Sequence, residues 1–295
     1  YGEKHTDQYV DGIKHGISTI HHDDGRLHSV TEYKNGEKNG VRRSFDADGN
    51  VAVTEHYVDD VMHGPRTETD AHGNVIAHGN YVEGNKVGTH IKKYPNGAIK
   101  STEEYNDAGE LHGPTMAYYS NGKLALSSNY KNGRKHGKHA FYFNNAKDGE
   151  EHGSFQYKGE WDQDSPRGTH IHAYENGQHQ EEKYHDEHGY AQGVSTQWYP
   201  SGRIKMEMPY HNDNYHGVYK EYHDVEGSPL KATGEYKNHV SIGTHKNFYQ
   251  SGNIRSKSHY GGNDNWDIKK REDFKDEDNV RESITSKLLW IDIKL

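Results

Sequence analysis

Twenty-five histidines in a chain with no cysteine are the side chains best suited to chemistry, as metal ligands or as proton carriers. Their spacing decides what they can do. His15, His63, His112, His136 and His216 each precede a glycine at the same place in a recurring pattern. On a sheet such positions lie two strands apart, roughly 10 Å at a strand spacing of about 4.8 Å. That is too far to share one ion, since zinc–nitrogen bonds are about 2 Å. His21 with His22, His136 with His139, and His170 with His172 come nearer to ligand spacing. The expectation is nevertheless that these rings are solvated or packed on other rings, with no metal, no cofactor and no small-molecule ligand. A row of imidazoles would also make a surface sensitive to pH between about 5 and 7.

Acidic chemistry is no better placed. Glu103-Glu104, Glu150-Glu151 and Glu181-Glu182 alternate faces when in strands, so the two carboxylates of a pair do not converge on one bond. They read as solvated charges. There is no Walker loop, no Gly-x-Ser-x-Gly and no His-Glu-x-x-His. No catalytic residue is assigned, and the chain is read as non-enzymatic.

The elements that carry these residues follow from composition and period. Of 295 residues only 29% are hydrophobic, while 11% are aromatic, and mean hydropathy is -1.24. Such polarity would ordinarily mean disorder. Against it stand tyrosines that recur regularly: Tyr9, Tyr33, Tyr57, Tyr81 and Tyr105 at 24 residues, then Tyr130, Tyr157, Tyr184, Tyr210, Tyr236 and Tyr260 at 24 to 27. A fixed period of this length marks one small unit repeated about ten times. The net charge of -9 is spread along the chain, which argues against a nucleic-acid surface. No run of 18 apolar residues exists to span a membrane. The first residue is Tyr1; a removed signal peptide, a fragment and a trimmed chain all fit, so cytoplasmic and exported locations both stay open.

Within the unit, Tyr81 to Gly88 leads through Tyr94-Pro-Asn-Gly97 to Tyr105. Asn96-Gly97 between alternating runs predicts a two-residue hairpin turn with positive φ at both residues. Like turns recur at Asp24-Gly25, Asp48-Gly49, Asn121-Gly122, Asn176-Gly177, Ser201-Gly202 and Ser251-Gly252. That register pairs Tyr94 with Ile99, Tyr119 with Leu124, Tyr199 with Ile204 and Tyr249 with Ile254, and sets Tyr105 on the same face. The position just before, held by Phe45, Tyr118, Tyr142, Trp198, Tyr222 and Phe248, then falls on the opposite face. Two readings of this aromatic row stand: rings that shield backbone, or a groove for a partner, for which Tyr118, Tyr142, Trp198, Tyr222 and Phe248 are the candidates. Longer repeats are expected at 144–149, 161–167 and 225–229.

The array is expected over residues 1–260, with a separate segment at 261–295. There Val280, Ile284 and Leu288 have the spacing of one helix face, and residues 289–295 are strongly hydrophobic. The segment reads as a cap over the last edge of the sheet or as a docking element.

Tyr33-Lys-Asn-Gly-Glu-Lys-Asn-Gly40, Tyr130-Lys-Asn-Gly-Arg-Lys-His-Gly137 and Tyr118-Tyr-Ser-Asn-Gly-Lys-Leu124 resemble the bacterial MORN-variant repeat. The resemblance covers roughly residues 9–260. It implies an all-β fold: an elongated, single-layer, twisted antiparallel sheet of about ten hairpins with a short helical or strand cap. It also implies a scaffold that binds a protein through its sheet surface, since bacterial members resembling this chain are often labelled antitoxins. A cell-surface or fibre-like self-assembling protein is the alternative.

Overall fold

The computed structural model describes residues 4–261 and 268–276. The chain forms two compact units, Tyr1–Gly153 and Ser154–Leu295. In each unit every described element is a strand, and consecutive strands pair antiparallel in an open meander. The all-β, single-layer expectation holds. The residues proposed for a helix at 280–288 lie outside the described residues. Within 261–295, strand Ile268–Asp273 pairs with strand Ile254–Gly261 and extends the meander past Tyr260.

Two kinds of turn occur, and the sequence reading assigned them wrongly. At Tyr94–Gly97, Gly97 N–H donates to Tyr94 O (2.9 Å) and Tyr94 N–H donates to Ala98 O (2.8 Å). Only Gly97 has positive φ, at 84°. This is a three-residue loop, a type I turn closed by a left-handed glycine, and not a two-residue turn. The two-residue turns instead lie on the tyrosine side: Asp11-Gly12, Asn35-Gly36, Asp59-Asp60, Glu83-Gly84, Asn132-Gly133, Gln163-Asp164, Asn212-Asp213 and Asn238-His239 have positive φ at both residues, whereas Tyr105 and His185 are followed by three-residue loops.

The extra loop residue moves the register. Ile99 opposes Lys93, not Tyr94; Leu124 opposes Tyr118, Ile204 opposes Trp198 and Ile254 opposes Phe248. Directly opposed residues share a face, so the aliphatic side chains lie with the aromatic row and not across from it.

The tyrosine beat is also corrected in two places. On the inner face, Tyr105 opposes Gly88, Tyr130 opposes Gly113 and Tyr210 opposes Gly193. The residue opposing Gly168 is His185, while Tyr184 turns outward. Likewise Tyr81 opposes Lys86 after its turn, and its counterpart is Trp161, opposing Pro166, rather than Tyr157. Residues 161–167 therefore form an ordinary hairpin. The insertions lie at 143–154 and 223–229, irregular segments between strands.

The inner face buries polar groups. Ser18, Glu55, His90, Ser128, His139, His170, Ser195 and His245 are buried, against a handful of buried aliphatic residues. Three histidines show how this is tolerated. The His90 Nε2–H donates to Asn80 O (2.9 Å), His170 to Glu160 O (2.8 Å) and His245 to Glu235 O (2.9 Å). A carbonyl only accepts, so Nε2 carries the proton in each. Each ring rests on a glycine in the facing strand, and a Cβ at Gly79 or Gly234 would come within 2.1 Å of the His90 ring or 2.3 Å of the His245 ring. Gly79→Ala should therefore cost about 1–3 kcal/mol by overpacking. Urea unfolding of Gly79→Ala, His90→Ala and the double variant checks it: the cost of Gly79→Ala should shrink in the His90→Ala background, and strict additivity would refute the account.

Candidate interaction surface

The five residues nominated from sequence occupy one repeated position. Tyr118 and Tyr142 belong to the first unit; Trp198, Tyr222 and Phe248 belong to the second. Each backbone carbonyl accepts a hydrogen bond from a ring about one repeat earlier. The Tyr94 hydroxyl donates to Tyr118 O (2.8 Å) and that of Tyr119 to Tyr142 O (2.7 Å). Tyr174 donates to Trp198 O (2.9 Å) and Tyr199 to Tyr222 O (2.9 Å). His223 Nε2 meets Phe248 O at 3.3 Å. Tyr249 continues the series to Phe274 O (2.8 Å), beyond the last repeat assigned from sequence. These bonds staple each three-residue turn to the next.

The five rings are half-buried. Tyr142 stacks on His152 with centroids 4.0 Å apart, and Trp198 meets His179 edge-on at 5.6 Å. The Tyr222 hydroxyl donates to Glu207 Oε2 at 2.7 Å; burial, then that carboxylate, pushes its pKa up to about 12. The row thus has local partners of its own.

More open apolar surface lies on the same face of the second unit, at positions the sequence reading did not single out. Val194 is 57% exposed, Val218 55% and Tyr184 50%. Val194 opposes Pro209, and Tyr184 lies on the strand paired with that of Val194. Tyr184, Val194, Pro209 and Val218 therefore form a stripe across successive strands. The available signal was the residue after the second glycine of the unit: Gly193-Val194 and Gly217-Val218. Tyr184 was hidden because it was counted with the inner tyrosines.

The first unit carries an inner network that sequence reasoning also missed. Glu55 is buried and accepts from Arg42 Nη1 (2.9 Å), Arg66 Nε (3.2 Å) and the Tyr57 hydroxyl (3.1 Å). Arg66 also pairs with Glu68. Burial raises the Glu55 pKa, but the bonds from Arg42, Arg66 and Tyr57 outweigh it and leave the carboxyl below its ordinary value. Arg42 and Arg66 hold the slot that His90 fills elsewhere, two residues after the second glycine.

The histidines are dispersed. His22 and His28 approach to 3.3 Å across a turn, and His170 and His185 to 4.7 Å between ring centroids. Among the described residues no group of three or more His, Asp or Glu is arranged to hold a metal ion. No described helix is long and apolar enough to cross a membrane.

A depressed carboxyl pKa stabilises the fold above the unfolded value and loses that contribution as pH falls through the folded one. Glu55→Gln should therefore cost about 2 kcal/mol at pH 7, because Arg42 and Arg66 lose their shared charge while staying partly solvated. The gap to the parent protein should begin to narrow below about pH 4.5, the ordinary glutamate value, and close only as pH falls through the lower folded one. Chemical denaturation at pH 7 and pH 3.5 measures both.

Four segments match a known repeat: residues 38–59, 111–132, 191–212 and 242–260 are similar to the MORN repeat variant. Three of them, 38–59, 111–132 and 191–212, run from just after one tyrosine-side turn into the next and so contain one three-residue turn. No curated protein matches the chain. Both units therefore contain segments similar to MORN-variant repeats, modules that commonly bind proteins or membranes.

Proposed function

We propose that this chain is a non-enzymatic scaffold whose outward sheet face binds a protein partner. The observation that carries this reading is the stripe of Tyr184, Val194, Pro209 and Val218, with three of its four members at least half exposed. Contiguous apolar surface on a soluble face is costly to leave in water and is the usual material of an interface. Trp198 and Tyr222 border it on the same strands as Val194 and Val218 and are of the residue types that anchor binding hot spots. The inner face offers less, because its rings and charges already satisfy one another. An antitoxin role would be one form of such binding; no feature of the fold selects it over another partner. Self-assembly is the second reading, favoured by the open meander of strands.

A photo-crosslinking residue at Val194, compared with one at the inner-face position Lys205, tests the proposal. Crosslinks to one distinct protein from Val194 alone, lost in a Val218→Lys variant of unchanged melting temperature, are expected. Crosslinks only between copies of the chain, with concentration-driven growth in light scattering, would favour self-assembly instead.

A further inference from the structure

One repeat departs from the others in the residue that opposes its second glycine. In the slot opposing the second glycine, His90 faces Tyr105 with ring centroids 5.1 Å apart, and His245 faces Tyr260 at 4.6 Å. His170 instead faces a second imidazole, His185, at 4.7 Å. A tyrosine in that slot stays neutral across the physiological range; a histidine does not.

Neither imidazole has a ready place for a second proton. His170 donates through Nε2 to Glu160 O, at 2.8 Å. Its Nδ1 accepts from the Tyr157 hydroxyl at 2.9 Å, and that oxygen in turn accepts from Trp161 Nε1 at 2.9 Å. Protonating His170 reverses the Tyr157 bond. The Nδ1 of His185 is buried without a hydrogen-bond partner among the described residues, which a bare lone pair tolerates. A proton there would create a buried N–H on a nitrogen that has no hydrogen-bond partner among the described residues, beside a second imidazole whose charge would repel it. The other groups facing the pair are His172, whose ring lies 4.9 Å from that of Tyr157, and Lys183, which sits over Tyr210 at 4.7 Å. Glu181 lies 3.7 Å from Lys183, and Asp213 is the one carboxylate that favours charge on His185. Burial, then His170 and Lys183, outweigh Asp213 and a hydrogen bond to the Gly168 backbone, and hold the His185 pKa below its ordinary value.

We propose that His170 and His185 form a proton-operated latch: both neutral, they close strands Phe155–Asp162, Ser165–Ala173 and His179–His185 on one another, and uptake of one proton in mildly acidic solution opens them. The stability held by two neutral rings is complete above the unfolded histidine pKa near 6.5 and is lost as pH falls below it. Tyr184 immediately precedes His185 in the chain and faces outward. Resting on the partner-binding reading above, opening of these strands also dismantles one end of the outward stripe.

Hydrogen exchange read by mass spectrometry on the full chain tests the latch without any partner, so it stands or falls apart from that reading. After correction for intrinsic rates, amides in 155–185 should exchange roughly tenfold faster at pH 5.5 than at pH 7.5. Amides in 230–260, where His245 faces Tyr260, should change much less. His185→Tyr, which installs the residue found in the neighbouring repeats, should hold 155–185 closed at pH 5.5; His185→Gln, neutral at every pH, serves if that variant packs poorly. Unchanged protection in the parent protein, or equal loss in parent and both variants, would overturn the latch.

Discussion

A sheet with few aliphatic residues must bury polar ones, and each buried polar group must then find a partner. This constraint organises the fold. At the glycine of the irregular ladder step, the carbonyl of the following residue takes the Nε2–H of His90, His170 or His245. Where the same slot holds Arg42 and Arg66, the charge is answered by Glu55. The glycines that admit these side chains are required by the space that a ring occupies as much as by backbone conformation. Gly79, for instance, has no positive φ, yet a Cβ there has no room.

The same economy links one repeat to the next. Along one side, tyrosine hydroxyls reach a carbonyl about 24 residues ahead. Along the other, turn amides donate to the preceding hairpin, as Gly84 N–H does to Met62 O (2.9 Å) and His239 N–H to Tyr215 O (3.0 Å). Neighbour-to-neighbour bonding of this kind is what lets a repeat array stay ordered with a thin core. It also frees the outward face from packing duty. Val194 and Val218 are exposed because no element of their unit needs them, and this is why the functional reading rests there.

Much of the architecture was legible in the residues. The period, the antiparallel hairpins and the insertions at 144–149 and 225–229 follow from tyrosine and glycine spacing. Asn96-Gly97 misled because an Asn-Gly pair suits a two-residue turn and also the last two positions of a three-residue loop; one residue of difference reverses every assignment of face that depends on it. Tyr157 and Tyr184 misled for a related reason. They are near the beat by number, but the irregular segment at 143–154 displaces it, so that Trp161, opposing Pro166, and His185, opposing Gly168, take the places that Tyr81 and Tyr105 hold in the first unit.

The sequence by itself determined that a short hairpin unit repeats along the chain, because a period of tyrosines and glycines is a one-dimensional property that survives any uncertainty in register. Which side chains share a face was decided only in three dimensions. Face depends on counting residues through every turn and bulge, and that count is settled by hydrogen bonds between strands, by the space above a glycine and by partners such as Arg42 for Glu55 that lie 13 residues away. The pairing of His170 with His185, and the exposure of Tyr184 behind it, are consequences of that count.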